Sequence, residues 1–501
     1  MIILAIDQGT TGTTCSLYEQ KSGKLLSSCV TDYPQHYPSS GWVEHDLEEI
    51  WNSFLISLKR ALEISKISPS QISCLGITNQ RETICCFDRE GKQLHRAIVW
   101  QDRRMASWCQ EQKQKNPSLE NFFKKKTGLG LDPYFSATKI FYLLAQEGLK
   151  KSDCLFGTIE TFLLYRLTKG ESFLTDASNA SRTLLSSLAP SSGQWDEELL
   201  NFFGIKKEFL PEIVDSFGFF GKTRSVAGLP DGIPITAMIG DQQAALLGQG
   251  GVDSNGLLKT TYGTGSFMMM NIGKILPKEE KLNFSLLTTV AFQQKGQKYY
   301  ALEGSNYICG AAVGWLKNQL NFFSHSRESE VLARQSWDLK KTRELLFFPF
   351  FSGIGTPYWL PEVKATILGM SRDTSKEDLT LACLEGMALS VEEMVASFKE
   401  QINGPVMRMR VDGGAVSNSL LLELQATFSQ IEIERPENLE VTSFGAAMGA
   451  AAGFEKCLIQ EKQKQWKNSA FVVRPLEEKE AQEYCYLKKN LWDFWLKKIY
   501  L

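Results

Sequence analysis

The chain has 501 residues, with 55 lysines and arginines against 57 aspartates and glutamates, a net charge of −2. That balance gives no electrostatic basis for nucleic acid or an anionic membrane surface as the main partner. Hydrophobic residues at 43% and charged residues at 22% argue against disordered, collagen-like and membrane classes, and the length allows more than one core. Two large lobes are expected, residues 1–250 and 251–501.

In chain order, Ile2 to Ile6 reads as a strand, Asp7-Gln8-Gly9-Thr10-Thr11-Gly12 as a turn, and Thr13 to Tyr18 as a second strand. The N-terminus has no basic flank and reaches a charge at Asp7, so it reads as this strand rather than a signal peptide. No apolar stretch is long enough to cross a bilayer, so no membrane insertion is expected. A third strand follows the turn Lys21 to Lys24. From Asp46 to Ser65, apolar residues at Ile50, Trp51, Phe54, Leu55, Leu58 and Leu62 have helical spacing, with Asp46 and Glu49 placed as a capping box. Strands are expected at Ile72 to Ile77, Thr83 to Phe87 and Leu94 to Trp100, then a mostly helical stretch. Pro234 to Ile239 reads as a buried strand running through Gly240-Asp241 into a short helix, Gln242 to Gln249.

After Gly250-Gly251 the opening pattern returns. Leu257 to Tyr262 is a strand, Gly263-Thr264-Gly265-Ser266 a turn, and Phe267 to Asn271 a strand again, a weak internal repeat. Helices are expected from Ala311 to Phe323, Glu377 to Gln401 and Ser417 to Ser429, with a strand from Met407 to Val411. This alternation in each half predicts two α/β lobes around one cleft. Eleven cysteines without C-x-x-C spacing point to reduced thiols and a cytoplasmic setting. Four histidines, His36, His45, His95 and His325, show no metal-binding spacing.

Five segments carry candidate chemistry. In Asp7-x-Gly9-Thr10-Thr11, glycine lets backbone approach a phosphate, threonine donates N–H and hydroxyl, and the aspartate suits magnesium. An ordinary hairpin capped by aspartate fits the same residues. Tyr262-Gly263-Thr264-Gly265-Ser266 repeats that chemistry from the other half and would clamp a triphosphate from the opposite side. Asp412-Gly413-Gly414-Ala415-Val416-Ser417-Asn418 runs from strand to helix through bare backbone, against which a nucleotide can lie; a plain tight turn is the alternative. Asn79-Gln80-Arg81-Glu82 joins a pure donor to a pure acceptor, a pair that complements hydroxyls, and equally an internal salt bridge. Gly240-Asp241-Gln242-Gln243 sets a carboxylate at a helix start, where free N–H groups keep it ionised as a base must be; a simple N-cap is the commoner use.

At these segments the sequence resembles the glycerol kinases of the carbohydrate kinase family, which shares the actin and hexokinase ATPase fold. The matching stretches run in family order: Ala5 to Thr11, Gly41 to Asp46, Gly76 to Thr83, Ala97 to Trp100 with Arg103-Arg104, Asp132 to Ser136, Asn179 to Arg182, Gly240 to Leu246, Thr261 to Gly265, Ala301 to Gly304, Pro357 to Trp359 and Val411 to Val416. The resemblance implies two actin-like (ribonuclease H-like) ATPase lobes around a central cleft, with ATP, Mg2+ and glycerol as the bound species. It implies that Arg81, Glu82, Tyr134, Asp241 and Gln242 hold the glycerol hydroxyls, that Asp241 is the general base, and that Trp100 and Phe267 pack against the carbon chain. Thr10, Thr11, Gly12, Thr264, Gly310, Gly414 and Asn418 would meet the nucleotide and Asp7 the magnesium ion. A homo-oligomer, dimer or tetramer, is the expected assembly. Two positions depart from the family pattern: Thr14 replaces an arginine near the phosphates and Gly314 a glutamine near the nucleotide, so ATP affinity is expected to differ. Val226 to Gly232 lacks the glycine- and arginine-rich loop that binds fructose 1,6-bisphosphate in some members, so feedback by that sugar is not expected.

Overall fold

The computed structural model describes residues 1–146, 149, 154–189, 194–253, 256–276, 285–337, 344–402, 405–406 and 408–501. Met407, expected to open a strand, lies outside the described residues; the strand runs Arg408–Asp412.

Two large sheets, one from each half of the chain, carry the architecture. The first runs, edge to edge, Phe217–Lys222, Pro234–Gly240, Ile72–Asn79, Ile2–Gln8, Gly12–Glu19 and Leu25–Asp32. Ile2–Gln8, Gly12–Glu19 and Leu25–Asp32 form an antiparallel meander, whereas Ile72–Asn79 lies parallel to Ile2–Gln8 and Pro234–Gly240 parallel to Ile72–Asn79. The parallel strands read as apolar runs because helices cover both faces; Ile3, Leu4, Ala5 and Ile6 are all sealed from solvent.

The second sheet has the order Leu287–Gln294, Gln297–Asn306, Ser266–Gly273, Leu257–Tyr262, Arg408–Asp412, Glu432–Pro436 and Ala470–Val473. Its centre repeats the first sheet: three antiparallel strands, then two added in parallel beside the first of them. The weak sequence repeat is thus a repeat of topology.

Several elements differ from expectation. The stretch expected as mostly helical also contains strands Leu155–Gly157, Leu174–Asp176, Glu212–Val214 and Phe217–Lys222. The helix expected to reach Phe323 spans Gly310–Asn318. Asp46 caps the helix Leu47–Ser65 by accepting from Glu48 and Glu49 N–H, but the capping box is not completed: the Glu49 carboxylate meets His36 Nε2 at 2.8 Å instead.

An unexpected helix, Val441–Glu455, leaves the second half and packs on the first sheet and on helix Asp241–Gly248. Glycines permit the approach: a Cβ on Gly445 would lie 1.9 Å from the Ala244 carbonyl oxygen, and one on Gly248 would lie 2.0 Å from that of Val441. The core under the first sheet is therefore built by both halves of the chain, with Ile3, Ala237 and Leu246 packed among Phe444, Ala447 and Met448. Among the described residues no disulfide forms, and no helix is long and apolar enough to cross a membrane.

Candidate active site

Register places the chemistry. Gln8 and Gly240 both lie level with Asn79 across the first sheet, so Gly9, Gln80 and Asp241 leave it together at the same end of its central strands. In the second sheet Thr261 is level with Asp412, so the Gly263 turn and the Gly413-Gly414 turn emerge side by side. Three of the five candidate segments thus share one end of the first sheet and two share one end of the second.

Arg81 and Glu82 follow shortly after the end of strand Ile72–Asn79, both nearly sealed from solvent, and Glu82 has a left-handed backbone with φ 62°. That conformation costs an ordinary side chain roughly 1–2 kcal/mol. The expected Arg81–Glu82 pairing is secondary, since their closest ionic approach is 3.9 Å. Instead Arg81 makes a two-pronged bond to Glu303 at 2.7 and 2.8 Å, and Arg182 Nε donates to Glu82 at 2.5 Å. Arg182 also lies 3.4 Å from Glu303. The Arg81 Nε faces Asp241 at 3.5 Å.

Glu303, Arg182 and Lys259 were given no role from sequence. Arg182 and Glu303 fall inside matching motifs, but their partners lie 100 and 222 residues away, beyond any local pattern. Lys259, Met269 and Glu303 form one row across three neighbouring strands, with Phe267 two residues from Met269 and so on the same face. That row explains why the second sheet brings a cation, a carboxylate and an aromatic ring to the same place. Lys259 Nζ donates to Gln242 Oε1 at 2.6 Å.

The aromatic side chains converge. Trp100 meets Tyr134 edge-on at 5.7 Å between ring centres and Phe267 at 6.3 Å. Tyr134 and Trp100 come from the first half and Phe267 from the second, so the pocket closes between the lobes. Trp100 Nε1 also donates to Thr10 Oγ1 at 2.9 Å, which joins the pocket wall to the first hairpin.

Electrostatics set the protonation states. Burial pushes Asp241 up to about 6, with Arg81 pulling it down and Glu82 pushing it up. The helix-start N–H of Gln242 does bond its Oδ1, at 2.6 Å, but burial outweighs that bond, so Asp241 is more basic than the sequence suggested. Burial also raises Glu303, yet the Arg182 and Arg81 guanidiniums overcome it and hold the carboxyl near 2. Asp7 stands well above the usual carboxylate range because it is buried and because Asp241 repels it.

Asp7 and Asp241 are near enough to repel one another. Among the described residues no cluster of three or more acidic, histidine or cysteine side chains encloses a metal. A one- or two-carboxylate site suits magnesium, which keeps waters and takes its remaining oxygens from substrate phosphates.

The other nucleotide-side residues divide into two groups. Thr11 and Thr264 are exposed at the tips of the two hairpins. Gly12, by contrast, is a buried strand residue level with Asp32. Gly310 starts a helix whose first N–H groups bind the second hairpin: Gly310 N donates to the Gly263 carbonyl at 2.9 Å and Cys309 N to that of Thr264 at 2.7 Å. Gly414 opens a short turn with free space beside it, and Asn418 caps the helix Ser419–Ser429 by accepting from Leu421 N–H at 3.0 Å. Thr14 lies opposite Asp7 on the neighbouring strand, and Gly314 has nothing within 4 Å of where a side chain would begin.

The chain matches the N-terminal domain of the FGGY family of carbohydrate kinases over residues 2–248 and its C-terminal domain over residues 258–454. It is 44% identical to the glycerol kinase of Bdellovibrio bacteriovorus over 482 residues, covering 94% of this chain and 95% of that one. To the glycerol kinase of Lactococcus lactis subsp. lactis it is 40% identical over 495 residues, covering 97% of each. The crystal structure of Plasmodium falciparum glycerol kinase with ADP superposes with a TM-score of 0.88 at 31% identity, covering 100% of this chain and 98% of that one. With two such sheets, two phosphate-type hairpins and full-length relatives, the chain belongs to the FGGY family of carbohydrate kinases.

Proposed function

We propose that the chain transfers the γ-phosphoryl group of ATP to a terminal hydroxyl of glycerol, giving sn-glycerol 3-phosphate and ADP. The observation that carries this reading is the 2.9 Å bond from Trp100 to Thr10, because it sets the wall of the polyol pocket directly against the first phosphate hairpin. Gln8 and Gly240 are both level with Asn79, so a hydroxyl beside Asp241 would lie at the same end of the first sheet as a phosphate held at Thr10 and Thr11.

Charge balance supports a neutral acceptor. Arg81, Arg182 and Lys259 face Glu82, Glu303 and Asp241, three positive groups against three negative. Among the described residues each of these three cations is already matched by a carboxylate, whereas hydroxyls can both donate to Glu82 and Asp241 and accept from Arg81. Trp100, Tyr134 and Phe267 enclose a carbon chain of limited size.

In the reaction the acceptor oxygen forms a bond to the γ-phosphorus as the bond to the β-γ bridging oxygen breaks, and Asp241 takes the hydroxyl proton. At neutral pH, with its pKa near 6, Asp241 is ionised and close to the working pH. Positioning outweighs early proton removal in such a loose transition state. The backbone N–H groups of the two hairpins aim at the phosphates from opposite lobes, and closing the lobes excludes water as a competing acceptor. Asp7, with Asp241 beside it, would hold Mg2+, which supplies neutralisation of phosphate charge. An assembly of two or four copies is the accompanying reading, which rests on the family resemblance and is checked by light scattering.

The test is a panel of glycerol, other short polyols, gluconate and ketopentoses assayed by ADP release with product identification. Glycerol is expected to give the highest kcat/KM; a ketopentose or gluconate ahead of it overturns the assignment.

A further inference from the structure

The mechanism uses the cleft side of the first hairpin, yet its other side carries a buried polar cluster with no part in that account. Tyr33, His45 and Gln80 are 6%, 0% and 1% exposed, and Gln8 is fully buried. Their bonds converge on two consecutive carbonyls. The Tyr33 hydroxyl lies 2.7 Å from the Gly9 oxygen and 2.8 Å from the Thr10 oxygen. Gln8 Nε2 donates to Gly9 at 2.8 Å, Gln80 Nε2 reaches it at 3.3 Å, and Gln35 Nε2 donates to Thr10 at 3.0 Å.

We infer that Tyr33, Gln35 and Gln80 are positioning residues for phosphate binding, a cradle that turns the Gly9 and Thr10 carbonyls into the protein so that the next two N–H groups face the cleft. In a trans peptide the C=O and the following N–H point in opposite directions. Holding the Gly9 oxygen inward therefore aims Thr10 N–H outward, and holding the Thr10 oxygen inward aims Thr11 N–H outward. Two successive outward N–H groups make an anion-binding concavity. Among the described residues neither N–H has a backbone acceptor, while the N–H just before them is engaged: Gly9 N–H bonds the Gly12 carbonyl at 2.9 Å.

The cluster is also oriented. The Gln35 Oε1 accepts from His45 Nε2 at 2.7 Å, which frees the Gln35 amide to donate to Thr10 and leaves His45 Nδ1 as an acceptor for Gln80 at 3.3 Å. Burial keeps His45 neutral, with its pKa pushed down to about 3, as this arrangement requires. Gln80 Oε1 accepts from Thr83 at 2.9 Å, and Thr83 Oγ1 accepts from Trp100 N–H at 3.2 Å. Trp100 returns to Thr10 through its indole, so the ring of bonds ends where it began, on the hairpin.

This inference rests on the first hairpin holding phosphate, and the test separates the two ideas by measuring nucleotide binding directly as well as turnover. The double variant Tyr33→Phe/Gln35→Leu removes both side-chain donors to the Thr10 carbonyl. Compared with wild type, its Kd for ATP by calorimetry and its KM for ATP are expected to rise on the order of tenfold, the consequence of losing one oriented buried hydrogen-bond set. KM for glycerol is expected to stay within about twofold. Tyr18→Phe is the control: it removes a comparably buried hydroxyl, bonded to Ser443 at 2.8 Å in the same sheet but away from the hairpin. A loss of melting temperature in both variants with weakened nucleotide binding only in the double variant supports the cradle. Unchanged ATP affinity in a folded double variant overturns it even if the wild type is an active kinase. Should the double variant not fold, Gln35→Leu alone decides, because Gln35 is only half-buried. Absence of glycerol turnover in the wild type would overturn the functional reading and leave the binding comparison valid.

Discussion

In the first hairpin the carbonyls of Gly9 and Thr10 are held by side chains, whereas in the second the carbonyls of Gly263 and Thr264 are held by backbone N–H groups of Cys309, Gly310 and Ala311. The acids differ too. The first lobe places Asp7 on its leading strand; the equivalent place in the second is Thr261, and the acid there, Asp412, sits on the adjacent strand and engages Gln249 and Lys259. Two lobes of one topology have thus divided the work. On the proposed mechanism the negative charge that meets a metal or a proton comes from the first, and the second offers uncharged backbone as a clamp. Variants on either side should separate chemistry from clamping.

The largest effect is expected at Asp241. Asp241→Asn should lower kcat by roughly 10²–10⁴-fold while ATP binding persists. In the wild type, kcat/KM should fall toward acid as this carboxylate takes a proton near pH 6. Stability should move the other way. The folded pKa lies above the ordinary aspartate value of about 4, so between about pH 4 and 6 the folded state holds more protons than the unfolded one. Ionisation of Asp241 therefore costs stability as pH rises through that window, and Asp241→Asn should melt higher than wild type at pH 7. Near-normal turnover in that variant would remove Asp241 from the mechanism and with it the proposed division between lobes.

Glu303 tests whether the second lobe contributes charge as support rather than as chemistry. Glu303→Ala leaves Arg81 and Arg182 buried without their shared carboxylate, a loss of about 3–5 kcal/mol by denaturant unfolding. Its own folded pKa, near 2, lies below the ordinary value for glutamate. The stability it contributes is therefore present above about pH 4 and lost as pH falls toward 2. A Glu303→Ala protein as stable as wild type would show that the ion network is not what joins the sheets.

Asp7 should give a smaller, metal-specific effect. Asp7→Asn is expected to weaken apparent Mg2+ affinity by roughly 10–100-fold, read from the Mg2+ dependence of rate, without weakening glycerol binding. Removing a half-buried charge that Asp241 repels should also raise the melting temperature in the absence of metal. An unchanged Mg2+ dependence would place the cation elsewhere.

How much of this was legible in the sequence follows from how local each signal is. Both hairpins, the strand ending at Gly240 and the long helix Lys376–Gln401 announce themselves within a dozen residues. Helix Val441–Glu455 does not, because its Gly and Ala residues face packed structure on every side and leave no polar face to create a 3.6-residue period. Its glycines make sense only once Ala244 and Thr236 are placed beside them. The candidate site shows the same limit. Asp241, Trp100 and Tyr134 could be singled out from motifs, but the Glu303 and Arg182 side chains that hold Arg81 and Glu82 in place come from distant segments, and only the folded chain brings them together.

The smallest effects distinguish the two clamping strategies through a pair of glycines on one helix. At Gly310 a Cβ would stand 2.7 Å from the Gly263 carbonyl, so Gly310→Ala must push the second hairpin away from the helix that holds it. Overpacking of this kind costs about 1–3 kcal/mol and should raise KM for ATP several-fold with little change for glycerol. Gly314, four residues on and with open space beside it, lies in the interior of the same helix. Gly314→Ala should stabilise the protein by about 0.5–1 kcal/mol, the ordinary gain from replacing a helical glycine. Opposite signs at positions one turn apart would show that Gly310 is constrained by contact with the hairpin rather than by helix propensity. Equal effects would mean that the backbone clamp tolerates displacement, and the contrast between the two hairpins would lose its mechanical basis.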